Sequence, residues 1–308
     1  YDRPYRTGPF DERESPDDAP QPPPSDEDGW LVVTADYVTS GDGTGLVHTA
    51  PAFGADDYAT GRKFGLPLFK TVEADGKIAA RQGLERFAGM WFKDADREIT
   101  RDLKERQLLL HADRYKHSYP FCWRCDTPLL QFASKSWFVR TTAIRDNLVE
   151  KNATIDWHPS AIGTGRFGNW LEGVVDWALS RKRYWGTPLP IWKCDRAQFD
   201  PHRPTIDDLT WECYGCRDNG RNGTFRRVDD VIDAWFDSGA MPFAQHHYPF
   251  ENASLVAPNG RFAPADFISE AVDQTRGWFY TLHVLACALF DSVAFEHCIV
   301  MGHVNDEQ

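Results

Sequence analysis

Phe267-Ile-Ser-Glu-Ala-Val-Asp-Gln-Thr-Arg-Gly-Trp-Phe-Tyr280, followed by His297-Cys-Ile-Val-Met-Gly-His303, is the stretch whose reading decides the fold. Phe267 to Ser269 is a short apolar run that ends at polar residues, and Asp273 carries the short acceptor side chain that can cap a helix. From Trp278 to Phe290 apolar residues recur at helical spacing, Asp291 and Ser292 break the pattern, and Cys298 to Met301 is a second apolar run. Strand, helix and strand within about 35 residues make a βαβ unit, with a right-handed crossover and parallel strands. In open α/β sheets ligands lie beyond the carboxyl ends of such strands. Those ends present Glu270, Asp273 and Gln274 on one side and Gly302 and His303 on the other. Such a crevice could hold a ribose, an ammonium group or a polar backbone; the plainer alternative is that Asp273 only caps and His303 is a loop residue.

With 308 residues, 42% hydrophobic and 14% aromatic, the chain can bury a large core, and its length fits about two domains. No apolar run reaches the roughly 18 to 20 residues of a membrane span, because Trp278 to Phe290 is shorter and is interrupted by His283. The amino terminus is acidic and proline-rich, unlike a signal peptide, and Tyr1 marks the chain as an excerpt. Seven cysteines, odd in number and including two CxxC pairs, fit metal sites in a reducing compartment better than a disulfide framework, so a cytoplasmic location is expected. The formal charge of −12 argues against a non-specific coat for nucleic acid. Half of it is local: residues 1–30 hold nine acidic and three basic residues, net −6, with seven of the twenty prolines, and residues 1–29 read as an irregular acidic loop.

Further along, Leu31 to Thr34 and Leu46 to Thr49 read as strands joined by turn chemistry at Gly41 to Gly45, with a helix around Tyr58 to Phe64. His48 and Asp57 bracket the passage between them and could face one pocket; the plainer account, which the bare pair favours, is a structural His on a strand with an Asp capping the next helix. Asp96 to Leu110 reads as a surface helix with one buried stripe. Cys122-Trp-Arg-Cys125 supplies two thiolates, which are either half of a tetrahedral zinc site or two free thiols. Cys194, Cys213 and Cys216 lie among prolines and polar residues where a small zinc ribbon fits, with His202 as a possible fourth ligand; a knuckle short of one thiolate can equally persist as a loop. Between the clusters, Arg181-Lys-Arg183 beside Trp177, Tyr184 and Trp185 reads as the end of a helix and mixes charge with flat rings, a surface suited to phosphate or nucleic acid or an ordinary solvated run. Asp230 to Phe243 reads as a further strand that turns at Ser238 and Gly239.

Five segments in order, Gly43 to Gly54, His117 to Cys125, Ser180 to Pro188, Val231 to Phe243 and Glu270 to Phe279, together resemble the isoleucyl-tRNA synthetases of class I. Valyl and leucyl enzymes share the plan, and a valyl-type enzyme is the nearest alternative; the runs Trp235 to Phe243 and Arg183 to Pro188 are more similar to the isoleucyl form. The resemblance implies an α/β protein: the second half of a Rossmann-type parallel sheet over 136–308, a part of a mostly β editing domain over 1–135, and a ribbon-like insertion at about 192–227. It implies ATP with Mg²⁺, isoleucine and tRNA(Ile) as partners and a monomeric parent enzyme, and it leaves zinc at the cysteines open. It places Glu270, Asp273, Gln274, Gly302 and His303 around the adenylate, Trp235 and Trp278 beside the isoleucine side chain, and His48 and Asp57 in a pocket that hydrolyses mischarged Val-tRNA. A pocket rejects a side chain one methylene smaller by only about 1–3 kcal/mol, isoleucine against valine being the usual example, so a second sieve is needed. The family's His-Ile-Gly-His-type and Lys-Met-Ser-Lys-Ser motifs lie outside Tyr1 to Gln308, so the resemblance implies that the chain alone does not activate isoleucine. A reading from another class is a non-catalytic RNA-binding zinc module.

Overall fold

A computed structural model describes residues 12–13, 29–39, 41, 44–114, 116–183, 185–194, 198–199 and 210–303. The chain divides into two units, Tyr1–Lys135 and Ser136–Gln308.

The first unit holds β1 (Glu12–Arg13), α1 (Ala55–Phe64), β2 (Pro67–Leu68) and α2 (Phe92–Glu105). β1 lies within the segment expected to be an irregular loop and pairs antiparallel with β2. α1 has Asp56 and Asp57 in its first turn and Arg62 and Lys63 in its last, charges that complement the helix dipole, and Gly65 ends it in the left-handed conformation at φ 63°. α2 begins before Asp96 and stops at Glu105, leaving Leu110 wholly exposed; it buries Ala95 and the carboxylate of Asp102, which takes Arg86 and Arg106. Leu31 to Thr34 and Leu46 to Thr49 join no ladder, contrary to the strand expectation. Alternation gives a segment a face but not a partner, and Val32 and Leu46 stay 81% and 74% exposed.

The second unit runs β3 (Phe138–Val139), α3 (Arg145–Asn152), β4 (Asp156–His158), α4 (Gly168–Glu172), β5 (Trp177–Ala178), β6 (Ser180–Arg181), β7 (Trp192–Cys194), β8 (Gln198–Phe199), β9 (Trp211–Glu212), α5 (Tyr214–Asp218), β10 (Thr224–Arg227), β11 (Val231–Ile232), α6 (Ala234–Ala244), α7 (Ala253–Val256), β12 (Ala265–Ala271), α8 (Trp278–Phe290) and β13 (Phe295–Met301). β12, β13 and β4 form a parallel sheet in that order, with Phe267 opposite His297, Glu270 opposite Val300 and Trp157 opposite Cys298. The βαβ unit is therefore β12–α8–β13, as the apolar pattern predicts, and the protein is of mixed α/β class. α8 is apolar on all sides and buries every residue from Phe279 to Cys287, which fits a helix at the centre of a core rather than at a surface. Trp157, Phe295 and Cys298 pack on its side of the sheet. On the other face Phe267, Ile299 and Met301 stay 62%, 43% and 51% exposed.

Two sequence expectations change here. Asp230 to Phe243 is not a single strand: Val231 and Ile232 pair with β6, then Asp233 accepts a bond from the Trp235 backbone N–H at 3.3 Å and α6 begins. An apolar run of this length has no decisive period, and the cap settles it. α6 crosses α8 closely, because a Cβ on Gly239 would stand 2.9 Å from the Thr281 carbonyl carbon. The segment around Arg181, expected to be helical, instead forms β5 and β6, which pair with β3 and β11. The insertion at 192–227 is a four-stranded antiparallel sheet in the order β8-β7-β10-β9, with a small core of Trp211, Cys213, Cys216 and Phe225.

Candidate active site

The register of β12 on β13 sets Glu270 and Gly302 at neighbouring carboxyl ends of two parallel strands. Glu270 is exposed there, and a Cβ on Gly302 would meet nothing within 4 Å, so the backbone at this end is open to a flat ligand. His303 follows it, exposed. After β12 the chain makes a tight turn over Val272–Arg276. Asp273 is in this turn and does not cap α8; the neighbouring Gln274 does, its Oε1 accepting from the Trp278 N–H at 3.0 Å. The same amide donates to Asp273 Oδ2 at 3.1 Å, which fixes one carboxylate oxygen of an otherwise exposed residue. Thr275 anchors the turn from below, buried, donating to Val272 O at 2.7 Å and accepting from Arg166 Nε at 2.9 Å.

Both expected tryptophans gather at this turn. Trp235, 43% exposed, lays its ring on Gly277, where a Cβ would come within 3.0 Å of the ring and 2.8 Å of Gln274 Oε1. Trp278 donates its indole N–H to Ser238 O at 3.1 Å, tying α8 to α6. Asp273, Gln274, Trp235 and Trp278 are thus joined by contacts, while Glu270, Gly302 and His303 are brought to the same sheet end by register.

Several supporting residues were not singled out by the sequence. Gly277 was quoted in the deciding stretch, yet its need for empty space shows only in three dimensions. Asp233 is buried and accepts from Trp177 Nε1 at 3.0 Å and from Arg181 Nη2 at 2.7 Å. Arg181 also donates to Ala178 O and Ser180 O, so this cation is engaged inside the fold. Lys182, Arg183 and Trp185 are exposed, Trp185 by 89%, and Tyr184 lies outside the described residues.

In the first unit a cavity of about 960 Å³ is lined by Trp30, Val33, Tyr37, His48, Phe53 and Leu66 among others. His48 is in its wall. Asp57 stands behind it: its Oδ2 accepts from the Ala50 N–H at 3.1 Å, and Ala50 lines the cavity. The carboxylate therefore holds the Ala50 to Gly54 loop, where a Cβ on Gly54 would be 2.9 Å from the same oxygen.

Cys122 and Cys125 form a tight knuckle, with Asp126 donating to Cys122 O at 2.8 Å and Cys122 donating to Thr127 O at 2.9 Å. Both are free thiols. Hydrogen bonds from the Thr127 side chain and backbone hold the exposed Cys125 thiol below the ordinary cysteine range. Cys213 and Cys216 are buried, and Cys194 stands opposite Phe225 in the β7–β10 register. His202 lies outside the described residues.

The family described as tRNA synthetases class I (I, L, M and V) matches residues 92–308. Isoleucine–tRNA ligase of Dehalococcoides mccartyi is 47% identical over 92% of this chain and 30% of its own length. That of Thermus thermophilus is 49% identical over 94% and 29%, and that of Streptomyces coelicolor 47% over 91% and 28%. The chain thus spans about 30% of the length of the curated relatives it matches. A LeuRS–tRNA–LeuAMS ternary complex from Agrobacterium radiobacter K84 aligns at a TM-score of 0.31 and 22% identity, over 43% of this chain and 20% of that one, too slight a likeness to bear on the site. No helix among the described residues is long and apolar enough to cross a membrane. With the family match covering most of its length, the chain belongs to the class I tRNA synthetases (I, L, M and V).

Proposed function

We propose that the chain is part of an isoleucine–tRNA ligase, which activates isoleucine with ATP and Mg²⁺ and transfers it to tRNA(Ile), working as a cytoplasmic monomer. The observation that carries this is the polar, open end of the parallel sheet, where Glu270, Gly302 and His303 meet the turn that holds Asp273 and Gln274. Asp273, with one oxygen fixed by Gln274, keeps the other for the ammonium group of the amino acid. Glu270 is positioned for a ribose hydroxyl, and the open backbone at Gly302 leaves room for the adenosine beside His303. Trp235 and Trp278, held by Gly277 and Ser238, flank the aliphatic side chain. ATP supplies the adenylyl group, taken at its α-phosphorus by the isoleucine carboxylate as pyrophosphate leaves; the residues here bind and orient rather than react.

The cavity at His48 is the counterpart for hydrolytic editing of Val-tRNA(Ile). His48 faces it directly and Asp57 acts from behind the Ala50 loop. Cys213 and Cys216, with Cys194 in the neighbouring sequence of the same insertion, would supply three of the four ligands of a structural zinc ribbon, and Cys122 and Cys125 two further thiolates.

Two substitutions in the full-length enzyme test these assignments. Asp273→Ala removes a charged hydrogen bond of about 1.5–3 kcal/mol, so isoleucyl-adenylate affinity falls roughly 10- to 150-fold while deacylation of Val-tRNA(Ile) is spared. Unchanged adenylate affinity refutes the placement of the amino acid. Asp57→Ala is expected to abolish clearance of Val-tRNA(Ile) and to leave charging with isoleucine intact; clearance at the normal rate refutes the editing assignment.

A further inference from the structure

On the face of the sheet away from α8, three donor groups converge that the adenylate site does not use. Asp156 and His158 flank the buried Trp157 in β4, so both point to the opposite face. His297 of β13 is the register partner of Asp156. One carboxylate oxygen, Asp156 Oδ2, stands 3.0 Å from His158 Nε2 and 3.1 Å from His297 Nδ1, and the three atoms lie within 4.8 Å of one another. The two imidazoles are nearly parallel, 19° between planes and 6.5 Å between centroids. All three side chains are about half exposed, at 56%, 58% and 48%, so an ion reaches them directly.

We propose that Asp156, His158 and His297 form a site for a divalent transition metal of the Zn²⁺ type, bound by two imidazoles and one carboxylate with water completing the shell. Bonds of about 2.0–2.1 Å in a tetrahedral site put ligand atoms roughly 3.3–3.5 Å apart, so two of the three edges are within a few tenths of an ångström of what is needed. Two imidazoles with one carboxylate suit borderline cations better than Mg²⁺ or Ca²⁺, which prefer all-oxygen shells. The backbone is set in advance by the parallel register. The ion replaces the imidazole protons that now bridge to the carboxylate. Its effect is to clip the edge strand β4 to β13 across 141 residues of sequence.

Calorimetric titration of the full metal-stripped chain with Zn²⁺ tests this against the double variant His158→Ala/His297→Ala. The cysteine ligands are the same in both proteins and cancel. The wild-type chain is expected to take up one more equivalent of Zn²⁺ and to gain a larger rise in Tm on saturation; equal stoichiometry and equal shifts overturn the proposal. Asp156→Asn, which keeps the shape and removes the charge, gives a second arm that does not depend on the double variant folding. Zn²⁺ affinity at that equivalent is expected to fall at least tenfold, and an unchanged affinity overturns the assignment.

Discussion

At the scale of single residues, Gly277 and Asp233 do more for the candidate site than the titratable groups that first attract attention. Gly277 is the surface on which Trp235 rests and beside which Gln274 folds back to cap α8. Gly277→Ala is therefore expected to displace the Trp235 ring and to destabilise the protein by about 1–3 kcal/mol, read as a shift in tryptophan emission and in the urea midpoint. Asp233 serves as N-cap to α6, as acceptor for the Trp177 indole and as counter-ion for Arg181. Asp233→Ala leaves both donors without this acceptor; because the Arg181 side chain is 40% exposed and partly solvated, the expected cost is about 2–3 kcal/mol by urea unfolding. The sequence marked Asp273 and Gln274 as polar groups at a strand end but assigned the cap to the wrong one. Gln274 is one methylene longer than Asp273 and one position nearer the helix, and the turn over Val272–Arg276, which makes Gly277 the residue before the helix, puts its amide rather than the carboxylate at the Trp278 N–H.

Elements were legible where periodicity and punctuation agree. β12, α8 and β13 follow from apolar runs bounded by polar breaks, and α1 from its charge pattern and Gly65. α6 was misread because its apolar residues go all round and its cap sits inside the run; Leu31 to Thr34 and Leu46 to Thr49 were misread because pairing partners are not written in a local pattern. α8 also carries a group that makes its stability depend on pH. His283 is wholly buried and donates from Nε2 to Leu148 O at 2.8 Å, and loss of solvent pushes its pKa down to about 4. The unfolded chain, with an ordinary imidazole near 6.5, binds the proton first, so stability present above that pH is lost as pH falls toward 4. Between pH 7 and pH 5 this group alone is expected to remove about 2 kcal/mol. His283→Gln, which retains a donor for Leu148 O, should flatten that part of the profile of urea midpoint against pH.

Across the whole molecule, the division at Lys135 and Ser136 gives each unit its own contacts. The piece 136–308, expressed alone, is expected to unfold in one cooperative transition with coincident circular dichroism and fluorescence curves; a broad or two-step transition would show that its core depends on the rest of the chain. Legibility falls with distance along the chain. The βαβ unit is local and was read from its own residues, whereas β4 joins the sheet from 141 residues earlier, and nothing in Asp156 to His158 announces its partner. That separation has a consequence for biosynthesis. β4 leaves the ribosome well before β13 exists, and at about 5–20 residues per second it waits roughly 7 to 28 s with Trp157 uncovered. Nascent chains stalled between these two strands are the form of this polypeptide on which a chaperone would act.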